Sequence, residues 1–133
     1  PENKNFAKKC KKKSISFIQL ISPTTSHQRM KQILKDSHDM VYYISMLSTT
    51  GGKLKVSSKK IIKNYDNIKK INNKINLVIG FGITDKNIRS LKSANGLVVG
   101  SLLCKIITNS VQKRQNPVTN LNKMLYKLKK EIS

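Results

Sequence analysis

NLVIGFGITDKNIRSLKSANGLVVGS, residues 76–101, is the stretch whose reading decides the fold. Asn76–Gly80 and Gly96–Gly100 are short apolar runs, as expected of strands covered on both faces, and each ends in glycine. Between them Thr84 is placed to cap a short helix carrying Ile88 and Leu91 inward. Ser101 opens another helix, with Leu102, Leu103, Ile106 and Ile107 on its apolar face. Strand, helix, strand, helix in this succession argues for right-handed βαβ units and a parallel sheet.

The same alternation extends in both directions. Met40–Met46 reads as a strand, and Ser58–Ile71 as a helix using Ile61, Ile62, Tyr65 and Ile68. The segment between them, Leu47 to Ser58, holds Ser, Thr and Gly51-Gly52 and is too long for a minimal turn, so it reads as a functional loop. Further upstream Ile15–Ile21 is a strand stopped by Pro23. Ser26 then caps a helix to Asp36 with Met30, Ile33 and Leu34 inward. Glu2–Lys13 reads as a helix with Phe6 and Cys10 on its inner face. After Pro117 a last amphipathic helix carries Leu121, Met124, Leu125 and Leu128. Four such units leave two architectures: a small open sheet, or half of an eight-fold barrel. A complete barrel needs about 250 residues, and this chain has 133. The sequence opens at Pro1, without Met and within an apparent helix, so the expectation is a single partial domain, 1–133, of something longer.

Composition bounds the function. There are 27 basic against 6 acidic residues, a net charge of +21, which on its own suggests a nucleic-acid partner. The basic residues argue against it. Arg29, Arg89 and Arg114 are the only arginines, although phosphate and base recognition favours the guanidinium fork. Lysines are spread over every predicted helix, and aromatics, 5% of the chain, are not interleaved with them as a stacking platform needs. Abundant Lys, Asn and Ile beside scarce Ala, Arg and Pro fit a genome rich in A and T. No nucleic acid and no membrane are expected as partners: no run is long and apolar enough to span a bilayer, and no leader precedes the chain. Cys10 and Cys104 lack metal or redox spacing and read as buried thiols of a reducing, cytoplasmic protein.

The chemistry-bearing features are few. Gly80-Phe81-Gly82 and Gly100-Ser101 are turns at the ends of consecutive strands, each directly before a helix. Glycine admits close approach of the backbone to a ligand, and a helix N-terminus offers free N–H groups and the positive end of its dipole. Two such turns on neighbouring strands would serve one anion, in the place where barrels often bind phosphate. Tyr42 and Tyr43 are adjacent in a strand, so only one of them can face a barrel interior. His27 and His38 show no metal or triad spacing. None of Glu2, Asp36, Asp39, Asp66, Asp85 and Glu131 falls at the C-terminal end of a predicted strand, where barrel catalysis occurs. The chain therefore offers no convincing general acid or base.

Taken in order, Phe17–Thr25, Val41–Ser45 with Thr50-Gly51, Gly80–Ile83 and Gly96–Ser101 resemble the tryptophan synthase α chain over nearly the whole sequence. The resemblance implies an α/β fold, the C-terminal half of a (β/α)₈ TIM barrel, strands 5–8 with their helices. It implies a lyase that cleaves indole-3-glycerol phosphate to indole and glyceraldehyde 3-phosphate by a retro-aldol reaction. It also implies a partner β chain in an α2β2 complex. No cofactor is expected in this chain, pyridoxal phosphate belonging to the β chain alone. The family's catalytic glutamate and aspartate lie in the N-terminal half, so this chain is expected to be inactive alone. By motif, Tyr42 matches the tyrosine beside the indole ring and Phe81 lines the same pocket. Gly82, Gly100 and Ser101 match phosphate donors, Gly51 closes over the phosphate, and Thr50 orients the catalytic aspartate. The family's usual Gly-Val-Thr-Gly is here Ser48-Thr49-Thr50-Gly51, a departure that removes a glycine from the closing loop. Other readings of the residues are another phosphate-binding barrel enzyme, or a basic module for RNA or anions.

Overall fold

The computed structural model describes residues 3–37, 39–45 and 56–133. Its elements run α1 (Asn3–Lys12), β1 (Gln19–Ile21), α2 (His27–Asp36), β2 (Met40–Ile44), α3 (Ser58–Ile71), β3 (Asn76–Gly80), a 3-10 turn (Ile88–Leu91), β4 (Gly96–Val98), α4 (Ser101–Gln112) and α5 (Pro117–Ile132). The helix starts follow from their caps. Ser26 accepts from the Arg29 amide, Ser57 from that of Lys60, and Asn116 from those of Val118 and Thr119, with Pro117 in the first turn. Lysines occupy the last turns of α1, α2, α3 and α5, where they complement the negative end of the dipole.

All strand pairs are parallel, in the order β1-β2-β3-β4. Register assigns the faces. Gln19, Val41 and Leu77 form one row and Ile21, Tyr43, Ile79 and Leu97 another, both turned toward the helices. Ile21, Val41, Tyr43, Leu77 and Ile79 are fully buried there against Ile33 and Leu34 of α2, Ile61, Tyr65 and Ile68 of α3, and Leu91. The alternate rows, Leu20–Tyr42–Val78–Gly96 and Ile44–Gly80–Val98, occupy the opposite face. That face has no helix over it: Leu20 is 55% and Val98 40% exposed. An open, doubly wound sheet reverses its strand order and carries helices on both faces. Sequential order with one bare apolar face is the geometry of half a barrel, and it decides between the two architectures.

Several local expectations are corrected. β1 begins at Gln19 rather than Ile15, and Ile15 and Ile18 are exposed, because this edge strand has a neighbour on one side only and pairing starts at Gln19 with Val41. For the same reason β4 ends at Val98 instead of reaching Gly100. Phe6 lies at the sheet edge and meets Phe17 edge-on at 5.6 Å instead of entering the core. Cys10 is buried as expected, but Cys104 is exposed on α4. Ile107 and Leu125 are likewise exposed, since α4 and α5 close the row of helices and pack on each other without a further neighbour. Thr84 is not a helix cap: its own amide donates to Asn87, which precedes the 3-10 turn. β2 ends at Ile44, while Met46 and His38 lie outside the described residues.

At the N-terminal ends of the strands a polar cluster fixes the start of β4. The Tyr65 hydroxyl donates to Asn95 Oδ1 at 2.9 Å and accepts from the Asn95 amide at 2.9 Å. The same Oδ1 accepts from Lys69 Nζ and from the Leu77 amide. Burial raises the Tyr65 phenol, its bond with the Asn95 backbone lowers it and Asp66 raises it again. In a barrel this end serves stability rather than chemistry.

Candidate functional site

The opposite, C-terminal ends of the strands bring together Tyr42, Phe81, Gly82, Gly100 and Ser101. Because Gly80 pairs with Val98, Gly82 and Gly100 stand two residues beyond the same level on adjacent strands. Neighbouring strands run about 4.8 Å apart, which is within the reach of one phosphate.

Tyr42 lies on the bare face of the sheet, half-buried, while Tyr43 points under the helices. Its ring crosses Gly80: a Cβ there would stand 1.8 Å from the Tyr42 hydroxyl and 2.2 Å from Cζ. Gly80 is therefore the seat that lets the tyrosine lie flat along the interior. Tyr43 pays for its burial with a hydroxyl that finds no hydrogen-bond partner among the described residues. Burial pushes its phenol up, offset in part by Asn64, whose side chain approaches without an acceptable bond.

Beyond Gly80 the backbone turns sharply. Phe81 has φ 72° and Gly82 φ 68°, so two successive residues are left-handed, one of them not glycine. The Phe81 side chain is exposed beside the bare face. Ser45, buried at the end of β2, donates toward the carbonyls of Gly80 at 2.7 Å and Phe81 at 2.8 Å. Asn87 donates to the Gly82 carbonyl at 2.9 Å and accepts from the Thr84 amide at 2.8 Å. Sequence reasoning missed both roles. The Asn just before Ile88 was the available signal, since Asn bonds readily to nearby backbone.

Gly100 is the N-cap of α4, with no side-chain cap and no acidic residue in the first turn. The amides of Leu103 and Cys104 return to the Gly100 carbonyl, whereas those of Ser101 and Leu102 find no acceptor among the described residues. A Cβ on Gly100 would meet nothing within 4 Å. The arrangement suits an anion: free helix-start amides on one strand end and a glycine turn on the next. Thr50, Gly51 and Ser48 lie outside the described residues.

The acidic residues stand elsewhere. Asp85 follows the glycine turn but is held by Lys127 Nζ at 2.7 Å, a bond that keeps its carboxyl below the usual carboxylate range. A groove lined by Lys11, Ser14, Phe17 and Asp36 opens at the N-terminal ends of β1 and β2, away from the glycine turns. Among the described residues no group of His, Cys, Asp or Glu gathers to hold a metal, and no helix is long and apolar enough to cross a membrane.

Comparison with known proteins gives the geometry a family. The family model of the tryptophan synthase alpha chain matches residues 1–133. The tryptophan synthase alpha chain of Pelagibacter ubique is 71% identical over 133 residues, which is all of this chain and 50% of that protein. That of Aquifex aeolicus is 35% identical over 117 residues, covering 86% of this chain and 43% of its own length. The chain thus spans about half the length of the curated relatives it matches. Among solved structures, the alpha subunit from Legionella pneumophila superposes with a TM-score of 0.83 at 25% identity, over 98% of this chain and 47% of that one. A tryptophan synthase complex from Pyrococcus furiosus gives a TM-score of 0.73 at 25% identity, over 95% of this chain and 48% of its own. The chain belongs to the tryptophan synthase alpha chain family, a family of lyases, and its four parallel βα units are the C-terminal half of that family's barrel.

Proposed function

We propose that this chain supplies the phosphate site and indole pocket of a tryptophan synthase α chain, which cleaves indole-3-glycerol phosphate to indole and glyceraldehyde 3-phosphate. The observation that carries the reading is the pair of strand-end turns at one level, with amides free at the start of α4. In this reading Gly82, Gly100 and Ser101 donate backbone N–H groups to the phosphate, and Gly51 closes over it. Tyr42 and Phe81 flank the indole, Tyr42 offering a ring that Gly80 lets lie along the interior. Thr50, on the loop after β2, orients the catalytic aspartate when that loop shuts and excludes water.

Breaking the carbon–carbon bond requires a proton removed from the glycerol hydroxyl and one delivered to the indole ring carbon. Asp85 is engaged by Lys127 with a lowered pKa, the reverse of what a general acid needs at neutral pH. The acid and base therefore come from the glutamate and aspartate of the N-terminal half, and residues 1–133 by themselves turn over no substrate. The reaction needs no cofactor in this chain. Pyridoxal phosphate serves the partner β chain, which receives the indole in an α2β2 complex in the cytoplasm.

The test is completion of the barrel. The N-terminal half of the Pelagibacter ubique relative, joined to residues 1–133, is assayed for indole release from indole-3-glycerol phosphate. Release by the completed barrel, and none by residues 1–133 alone, is the expected result. A folded, completed barrel that leaves the substrate intact overturns the proposal.

A further inference from the structure

The oxygens of three successive residues after β3 are all taken by two side chains. Ser45 shares its hydroxyl proton between the Gly80 and Phe81 carbonyls, and Asn87 binds the Gly82 carbonyl while its own oxygen takes the Thr84 amide. A left-handed phenylalanine is unfavourable, and such a backbone state persists only where its surroundings over-determine it. Here the surroundings are these two side chains. With the carbonyls drawn into the protein, the amides of Gly82 and Ile83 have no acceptor among the described residues. They stand beside the free amides of Ser101 and Leu102.

We propose that Asn87 and Ser45 are positioning residues for the substrate phosphate. They touch no substrate. They hold the Phe81–Gly82 backbone left-handed, so that its amides are already aimed when the anion arrives. This rests on the phosphate reading above. Released from the clamp, Phe81 returns to negative φ, the peptide planes rotate and the donors spread over several orientations. The ordering cost then falls on binding. Since the phosphate is remote from the bond that breaks, the loss is uniform binding and shows in KM rather than kcat.

The completed barrel is the vehicle for the test. Asn87→Ala is expected to raise KM for indole-3-glycerol phosphate roughly tenfold, one charge-assisted contact's worth, with kcat within about twofold. Ser45→Ala moves KM in the same direction. Asn95→Ala, which breaks the cluster at the far end of β4, lowers the Tm without moving KM, so loss of structure alone has a different signature. An activity-independent readout is the intraresidue amide–α-proton NOE of Phe81, strong at positive φ and expected to weaken in Asn87→Ala. Should that variant not fold, the nearly isosteric Asn87→Asp keeps an acceptor for Thr84 and deletes only the donor to Gly82. The same weakening is expected there. An unchanged KM with an unchanged Phe81 NOE overturns the inference. An unmutated barrel that binds no glycerol 3-phosphate retires the phosphate reading itself, and these roles with it, even if the NOE still responds to Asn87.

Discussion

Gly100→Ala separates what the fold needs from what a ligand needs. Gly100 has φ −108° and ψ −74°, a negative φ open to alanine, and a Cβ built on it meets no atom within 4 Å. Alanine is a poorer N-cap than glycine by about 0.5–1 kcal/mol, while it restricts the unfolded chain to gain about 0.4–1 kcal/mol. The terms oppose each other, and the net change in stability is within about 0.5 kcal/mol. Binding is another matter. Donors bond an anion at about 2.7–3.2 Å, so a methyl on the approach face of α4 holds the phosphate off the Ser101 and Leu102 amides. Losing one or two charge-assisted bonds at about 1.5–3 kcal/mol corresponds to a rise in KM of roughly tenfold to a hundredfold. The assay is steady-state cleavage by the completed barrel beside its thermal unfolding. An unchanged KM would refute the placement of the phosphate at Gly100. A Tm several degrees lower would show instead that the fold requires this glycine.

Other perturbations read other parts of the molecule. Gly80→Ala places a Cβ 1.8 Å from the Tyr42 hydroxyl; the ring swings into the open interior, stability falls by about 1 kcal/mol, the low end of overpacking costs, and a crystal structure showing Tyr42 unmoved refutes the seat. Tyr43→Phe removes a buried hydroxyl without a partner, so stability is unchanged or rises by up to about 1 kcal/mol, and a loss in a denaturant titration reveals a bond the structure lacks. Asp85 is held below its unfolded pKa by Lys127, so their contribution is present above the carboxylate range and disappears as pH falls through the folded value; the Tm gap between unmutated protein and Asp85→Asn closes on acidification, and a gap that persists in acid excludes the ion pair as its source. Residues 1–133 alone present Leu20 and Val98 to water and self-associate in sedimentation, less so as Leu20→Lys with Val98→Lys; a sharp, monomeric, two-state unfolding of the unaltered chain contradicts this.

Elements whose signal is local were legible in the sequence. α3 carries its periodicity on Ile61, Tyr65 and Ile68 and its stop at Asn72, and its bounds agree with the sequence reading. β3, central in the sheet and paired on both sides, also agrees end to end. Expectations failed at the edges. Ile15–Ile21 is apolar throughout, yet only three of its residues find a partner, because the extent of an edge strand is set by its neighbour and not by its own hydrophobicity. Phe6, Ile107 and Leu125 sit on correctly placed helices but face outward, since a helical period identifies an apolar side without saying what covers it.

The site was legible in its glycines, though not for one reason. Gly80 is small because Tyr42 lies across it, Gly82 because its φ is 68°, and Gly96 because Val78 Cγ1 stands 3.0 Å from where its Cβ would be. Each of these is explained inside the fold. Gly100 is not: its backbone admits a side chain and the space beside it is empty. A binding site made from backbone amides leaves no side chain of its own in the sequence, only the absence of one, and that absence is ambiguous until packing and φ have been accounted for. Asn87 and Ser45 were invisible for the complementary reason: their partners are carbonyls, which every residue has, and only the folded turn shows which carbonyls they hold. The glycine that the fold does not need and the polar side chains that aim the backbone beside it are therefore two halves of one argument for an anion at the ends of β3 and β4.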